Sequence, residues 1–298
     1  MDRYHAMRVF VRIAEAGGFA EAARQLHMSP PAVTRALAAL EETIGARLLT
    51  RTTRAVKLTE AGARYLEDCR RILAAIEEAE AAAAGSYATP KGVLTVTTSV
   101  LFGQLYVVPI LTEFLDLHPQ VTGRLLLLDR VANLVDEGID VAIRIGHLPD
   151  SSYSAIRVGS VRRVICAAPA YIAARGAPNH PSDLAQHRII ATTSAWNSLD
   201  WHFGSTGGMA VNVKPALFSN SNEAAIGAAR SGWGLTRALS YQIGPELASG
   251  ELQIVLADFE QPPLPVHIVH PEGRNASAKV RAFIDLARER LRANPSFG

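Results

Sequence analysis

The apolar residues of this chain keep a helical period as far as about residue 84 and then change to an alternation of strands and helices. A single layer cannot satisfy both periods, so the chain must build at least two bodies of different class. In the first body Met7, Phe10, Val11 and Ala14 form one stripe, ended by Gly17 and Gly18. A short alanine-rich helix follows over 19–26, and His27-Met28 is a tight connection. Ser29 reads as an N-cap with Pro30 and Pro31 in the first turn, where a missing N–H costs nothing. The third helix is expected to bury Val33, Ala36, Leu37, Leu40 and Ile44 before Gly45 stops it. Residues 48–58 are β-branched, basic and of hairpin length. Thr59 can cap a long helix to about residue 84, in which Leu66, Cys69, Leu73 and Ile76 have the four-three spacing of a coiled-coil seam. That seam predicts a homodimer. Gly85-Ser86 and Thr89-Pro90-Lys91-Gly92 read as a hinge.

Beyond the hinge, strands are expected at 93–98, 121–128, 141–145 and 161–168, with helices at 102–117 and 131–137. This rhythm implies an open, mostly parallel sheet covered by helices. The strand at 161–168 can cross into a second lobe that holds a helix at 223–231 and a strand near Leu235. A strand at 264–270 can return the chain, and a last helix at 278–293 buries Val280, Phe283, Ile284, Ala287 and Leu291. The expected fold is therefore α/β with an all-α winged helix-turn-helix head. The head spans 1–58 and the linker helix with its hinge 59–92. A two-lobed body spans 93–298, lobe one from 93–161 and 268–298 and lobe two from 162–267.

Charge divides along the same line. Residues 1–58 hold nine Lys/Arg against five Asp/Glu, a net +4, within a chain whose net charge is +2. A basic head on a mildly acidic body suits a polyanion, here double-stranded DNA. The third helix offers Ser29, Thr34 and Arg35 on the face its core residues leave over, and its N-terminus attracts phosphate. Arg51 and Arg54 in the hairpin are placed to enter a minor groove or flank it. No apolar run is long enough for a bilayer and no secretory signal is visible, which points to the cytoplasm and to no membrane partner. Cys69 and Cys166 form no motif. Gly232-Trp233-Gly234 lacks the last glycine of a dinucleotide fingerprint, and His267 and His270 face opposite sides of a strand. Nothing pairs a nucleophile with a base. The expectation is no enzyme, no cofactor and no metal.

For a small ligand, the residues point to Ser99, where a strand ends and a helix begins and where N–H groups would face an anion. Asp129, just past the second strand, would favour a hydroxyl or amine. Thr193 and Asn220 are candidates from the second lobe. Arg144 reads either as lying on the edge of the cleft or as the partner of a surface carboxylate, the second being preferred.

The chain also resembles the LysR-type transcriptional regulators over essentially its whole length. The residues that carry this are Phe19-Ala20-Glu21-Ala22-Ala23-Arg24-Gln25-Leu26, Ser29-Pro30-Pro31-Ala32-Val33-Thr34-Arg35, Arg51-Thr52-Thr53-Arg54, and Leu58-Thr59-Glu60-Ala61-Gly62. Glu137-Gly138-Ile139-Asp140-Val141-Ala142-Ile143-Arg144-Ile145-Gly146 and Pro169-Ala170-Tyr171 extend it into the body. Pro31 matches the family's usual proline, whereas Pro30 stands where glutamine is common. The resemblance implies a periplasmic-binding-protein-like, two-lobed effector domain, a small-molecule effector between the lobes, and dimers through the linker helix, commonly paired into tetramers. It places effector contacts at Thr98 and Val100 as well as Ser99. Two other readings stay open: a transport solute-binding protein, against which the basic head argues, and an architectural DNA-binding protein, against which the long α/β body argues.

Overall fold

The computed structural model describes residues 2–51, 56–83, 89–148, 153–192, 199–205, 208–271 and 276–297. It has two compact units, Met1–Ala88 and Thr89–Gly298. The body thus begins a few residues before the expected boundary, and Gly92, assigned to the hinge, already opens a strand.

The first unit contains α1 (Arg3–Ala16), α2 (Phe19–Gln25), α3 (Pro30–Ile44), a hairpin of β1 (Leu49–Arg51) and β2 (Val56–Leu58), and α4 (Glu60–Ala83). Asp2 caps α1 by accepting from the Tyr4 N–H at 3.0 Å, and Gly17 ends it at φ 66°. The buried face of α1 is Ala6, Val9, Phe10 and Ile13 with Met7, turned slightly from the expected stripe. Helix α3 buries Val33, Ala36, Leu37 and Leu40 as expected. Ile44 is instead exposed, because the last turn runs past the core before Gly45 stops it. Thr59 caps α4, its hydroxyl accepting from the Gly62 N–H at 2.9 Å.

The four-three stripe of α4 has a different use from the one its spacing suggests. Leu66 and Cys69 are buried in the head's own core and Leu73 packs against it. The Tyr65 and Phe10 rings lie 5.8 Å apart in the same contact. Helix α4 is thus partly a fourth wall of the head, and on its outward face Ile72 is 41% exposed.

The second unit contains two five-stranded sheets. The first takes β3 (Gly92–Thr98), β4 (Val121–Leu127), β5 (Val141–Ile145), β6 (Ser154–Val161) and, from far along the chain, β14 (Leu264–His270), in the order β4-β3-β5-β14-β6. The second takes β7 (Arg163–Ala167), β8 (Ile189–Thr192), β11 (Pro215–Ser219), β12 (Leu235–Leu239) and β13 (Gln253–Val255), in the order β11-β8-β12-β7-β13. A small hairpin of β9 (Asp200–Phe203) and β10 (Met209–Asn212) lies between β8 and β11 in the chain. Between β3 and β4 run α5 (Val100–Phe102), a π-helical turn at Gly103–Val107, and α6 (Val108–Leu117). The other helices are α7 (Pro169–Arg175), α8 (Asn222–Arg230), α9 (Gly244–Ser249) and α10 (Ala278–Arg292).

Several expectations need correction. The sheets are mixed, because β14 pairs antiparallel with β5 and β6, and β7 pairs antiparallel with β12 and β13. The strand expected over 161–168 is two strands in different sheets, broken at Arg162. All of β14 belongs to the first sheet, so the return crossing precedes Leu264 rather than falling at 267/268. Residues 131–137 are not a helix. The Asn133 side chain takes the Val135 N–H at 3.2 Å, and Gly138 at φ 63° closes a single turn. Val100–Leu117 is, by length and composition, apolar enough to cross a membrane. Here Phe102, Val107, Ile110, Leu111 and Phe114 of this stretch fill the core beneath the first sheet. Opposite them α10 buries all five of its expected residues.

Candidate functional site

On the first unit, the turn between α2 and α3 presents the start of α3. His27 closes that turn in the left-handed region at φ 53°. Ser29 caps α3 with extended backbone, and its hydroxyl makes no capping bond. Pro30 and Pro31 carry no N–H, while Ala32 and Val33 donate to the Ser29 carbonyl at 2.9 and 3.2 Å. The first turn therefore lacks the spare backbone donors that usually hold a phosphate at a helix N-terminus. Side chains must supply the contacts. Pro31 and Arg35 are exposed and Thr34 is half-buried, all on the face opposite Val33, Ala36 and Leu37. Arg35 has no ion-pair partner among the described residues. Arg51 ends β1 opposite Val56, and Arg54 lies outside the described residues.

The hairpin is fixed by a residue that sequence reading missed. The Glu41 carboxylate accepts from the Leu48 and Leu49 N–H groups at 2.8 and 3.2 Å, tying the hairpin to α3. The Thr59 hydroxyl donates to the Arg47 carbonyl at 2.7 Å. Gly62 packs so closely that a Cβ would lie 1.9 Å from the Leu48 carbonyl oxygen. Arg47 and Lys57 are exposed beside this hairpin and add basic groups that were not selected from sequence.

On the second unit, a cavity of about 120 Å³ opens between the two sheets. Thr98, Ser99 and Asp129 line it, as does Arg144. Val100 and Asn220 are not in its wall; Asn222, two residues on, is. Val100 contributes only its N–H, and that N–H donates to the Asp129 carboxylate at 3.1 Å. The chain's own carboxylate thus fills the place at the helix start expected for a bound anion. The Ser99 hydroxyl lies 3.5 Å from the Tyr241 hydroxyl. Thr98 is 3% exposed, and its hydroxyl has no partner among the described residues. Thr193 lies outside the described residues.

The positive charge comes from elsewhere. Arg144 is not a surface ion pair: it lines the cavity and donates to the Ala132 carbonyl at 2.5 Å, and burial lowers its pKa. Arg163 and Arg237 line it from β7 and β12. The Arg163 guanidinium donates to the neutral Gln261 amide oxygen at 2.6 Å. Arg237 stacks over the Trp201 ring at 4.9 Å. Burial, and then the Arg163 charge, pull its pKa down to about 10. Burial pushes the Tyr241 hydroxyl up to about 12. The signal available in sequence was an arginine at the start of one mostly apolar strand and one in the middle of another. What placed them together was strand order.

The comparisons agree with this geometry. A model of the bacterial regulatory helix-turn-helix proteins of the lysR family matches residues 4–63, and one of the LysR substrate binding domain matches 88–292. An HTH-type transcriptional repressor of Pseudomonas aeruginosa is 33% identical, over 99% of this chain and 94% of that protein. An HTH-type transcriptional regulator of Xanthomonas campestris is 36% identical, over 95% and 84%. The solved structure of CrgA, a LysR-type transcriptional regulator from Neisseria meningitidis, superposes with a TM-score of 0.62 at 30% identity, covering 97% of this chain and 99% of that one. The two family models cover the helix-turn-helix unit and the two-sheet unit in turn, and the chain belongs to the LysR family of DNA-binding transcriptional regulators.

Proposed function

We propose that this regulator, acting in the cytoplasm, places α3 in the major groove of its operator and answers to a small anionic effector held in the cavity between the two sheets. Arg35 and Thr34 would meet base edges or phosphates, with Ser29 and Pro31 fitting the helix start against the backbone. Arg51 and Arg54 would flank the adjacent minor groove. In the cavity, Thr98, Ser99 and Asp129 face the ligand. Thr193 and Asn220 have weaker support, since the first lies outside the described residues and the second is exposed away from the wall. The observation that carries the anionic reading is the convergence of Arg144, Arg163 and Arg237 on one small cavity. Family members bind DNA and effectors as oligomers. For this chain we assign the dimer contact to α4, through its outward residues, with pairing into tetramers a further step. The test is a gel shift with the DNA upstream of the chain's own gene, with and without a pool of small carboxylates. The expected result is a retarded complex whose affinity or footprint the pool changes. A complex indifferent to every acid, or none at all, would overturn the reading.

A further inference from the structure

Glu41 closes one element of the head and receives the next. Its main-chain carbonyl accepts from the Gly45 and Ala46 N–H groups at 2.9 and 3.2 Å, which ends α3, with Gly45 at φ 75°. Its carboxylate reaches across the turn that follows and takes the Leu48 and Leu49 N–H groups on one oxygen, at 2.8 and 3.2 Å. The Leu48 carbonyl in turn accepts from the Thr59 N–H at 3.0 Å, and the Arg47 carbonyl from the Thr59 hydroxyl at 2.7 Å. Leu48 is therefore held through its N–H by α3 and through its C=O by the cap of α4.

The side chains alone would not give this hold. Leu48 and Leu49 are 1% and 5% exposed and belong to the head's core. Apolar burial is non-directional, so it keeps a strand against the core without fixing how far the strand slides or tilts. Hydrogen bonds to the backbone are directional and fix both. Strand β1 starts at Leu49 and ends at Arg51, so the carboxylate sets the point from which the hairpin leaves α3. Arg35 stands six residues before Glu41 on the same helix, about 9 Å along its axis. One helix thus carries the candidate base-reading residues toward one end and the hairpin's anchor toward the other.

Resting on the reading of α3 and the hairpin as the DNA contacts, we infer that Glu41 is a positioning residue for sequence recognition. By holding the Leu48–Leu49 backbone it sets the offset between the bases met by α3 and the flanking step met by the hairpin. The role needs the reach of the side chain and its acceptor oxygen, not its negative charge. A purely structural role has a different signature: a less stable head that binds every sequence more weakly by the same factor.

The test uses the full chain and a library of random-sequence duplexes, enriched by rounds of binding and sequenced. Positions whose preference Arg35→Ala relaxes define the α3 step, and the remaining enriched positions define the flank. Titrations then compare the enriched duplex with copies scrambled in one step or the other. Glu41→Ala removes the acceptor, Glu41→Asp keeps the charge but is one methylene short, and Glu41→Gln keeps reach and oxygen without the charge. Glu41→Ala and Glu41→Asp should each cut the preference for the enriched flank by at least about fivefold, the worth of one mismatched base pair. Their preference at the α3 step should stay within about twofold of the wild type, as independent sites do. Glu41→Gln should keep both preferences. If Glu41→Ala does not fold, the Asp and Gln variants decide. A uniform loss on every sequence, an unchanged flank preference in Glu41→Asp, or a Glu41→Gln that behaves like Glu41→Asp overturns the inference. So does a wild type that enriches an α3 step with no flank, which leaves the docking of α3 standing. A wild type that enriches no sequence overturns the DNA-contact reading itself, and the inference with it.

Discussion

Three residues carry consequences that follow from their immediate surroundings. Gly62 is required by proximity, not by a special backbone angle: a Cβ would lie 1.9 Å from the Leu48 carbonyl oxygen, which also accepts the Thr59 N–H at 3.0 Å. Gly62→Ala must push α4 off the hairpin, and overpacking of this kind costs about 1–3 kcal/mol. Calorimetry of the variant should show a lower melting temperature; an unchanged one would mean that the contact gives way without strain. Thr98 is the opposite case. Its buried hydroxyl has no partner among the described residues, so Thr98→Val removes a desolvated polar group from the middle of β3. Stability without ligand should hold or rise by up to about 1 kcal/mol, while ligand affinity falls. A fall in both would show that the hydroxyl has a structural role. His267 governs a pH response. Burial first, then the charges of Arg157 and His147, keep its pKa below the ordinary 6.5. The unfolded chain therefore takes up the proton first, so this contribution is complete above about pH 6.5 and declines as pH falls through it. His187 is shifted the same way by burial. His267→Gln should flatten, not abolish, the acid-side fall in melting temperature between neutrality and mild acid; an unaltered profile removes His267 as its source.

At the scale of elements, α4 walls the head core and is the proposed dimer contact, and single substitutions can separate the two. Leu66 is 6% exposed within the head core, whereas Ile72 is 41% exposed on the outer face. Leu66→Ala should destabilise the head by about 2–5 kcal/mol. Ile72→Arg should leave melting nearly unchanged, as surface substitutions do, and should weaken the dimer in sedimentation at micromolar concentration. A dimer that survives Ile72→Arg would move the interface off α4. The same helix shows how far sequence pattern reaches. Its existence, its Thr59 cap and its apolar period were legible, but a period names a buried face without naming what buries it. The caps at Gly17, Ser29 and Gly45, and the five buried residues of α10, were legible because each depends on residues within one helix. Strand β6 was missed because its eight residues alternate poorly, with glycine and serine inside. Residues 131–137 looked helical by period, yet Asn133 captures nearby N–H groups and ends the turn. Of the cavity, Ser99 and Asp129 were legible at strand ends. Arg163 and Arg237 were not, because they become neighbours only through the antiparallel pairing of β7 and β12.

At the scale of the whole molecule, the two proposed uses of charge are ones that salt can tell apart. The cavity arginines are desolvated, and their attraction for an anion is weakly screened. The head works in solvent, with nine basic residues against five acidic ones over residues 1–58. The two prolines leave α3 without the usual backbone donors for phosphate, so phosphate contacts fall to side chains and each releases counterions. Affinity for DNA should therefore drop steeply and linearly in logarithmic plots against salt. Within that slope, the basic residues divide by role. Lys57 is exposed on β2 opposite Thr50. Lys57→Ala should lower affinity on any sequence alike and reduce the slope by about one per head. Arg35 lies on the exposed face of α3 beside Thr34. Arg35→Ala should cost about 1–3 kcal/mol on the operator, relax its sequence preference and leave the slope near that of the parent. Titrations of both variants on operator and scrambled DNA across a salt series decide the matter. If Lys57→Ala loses sequence preference while Arg35→Ala only flattens the slope, the roles are exchanged and the hairpin, not α3, reads the bases.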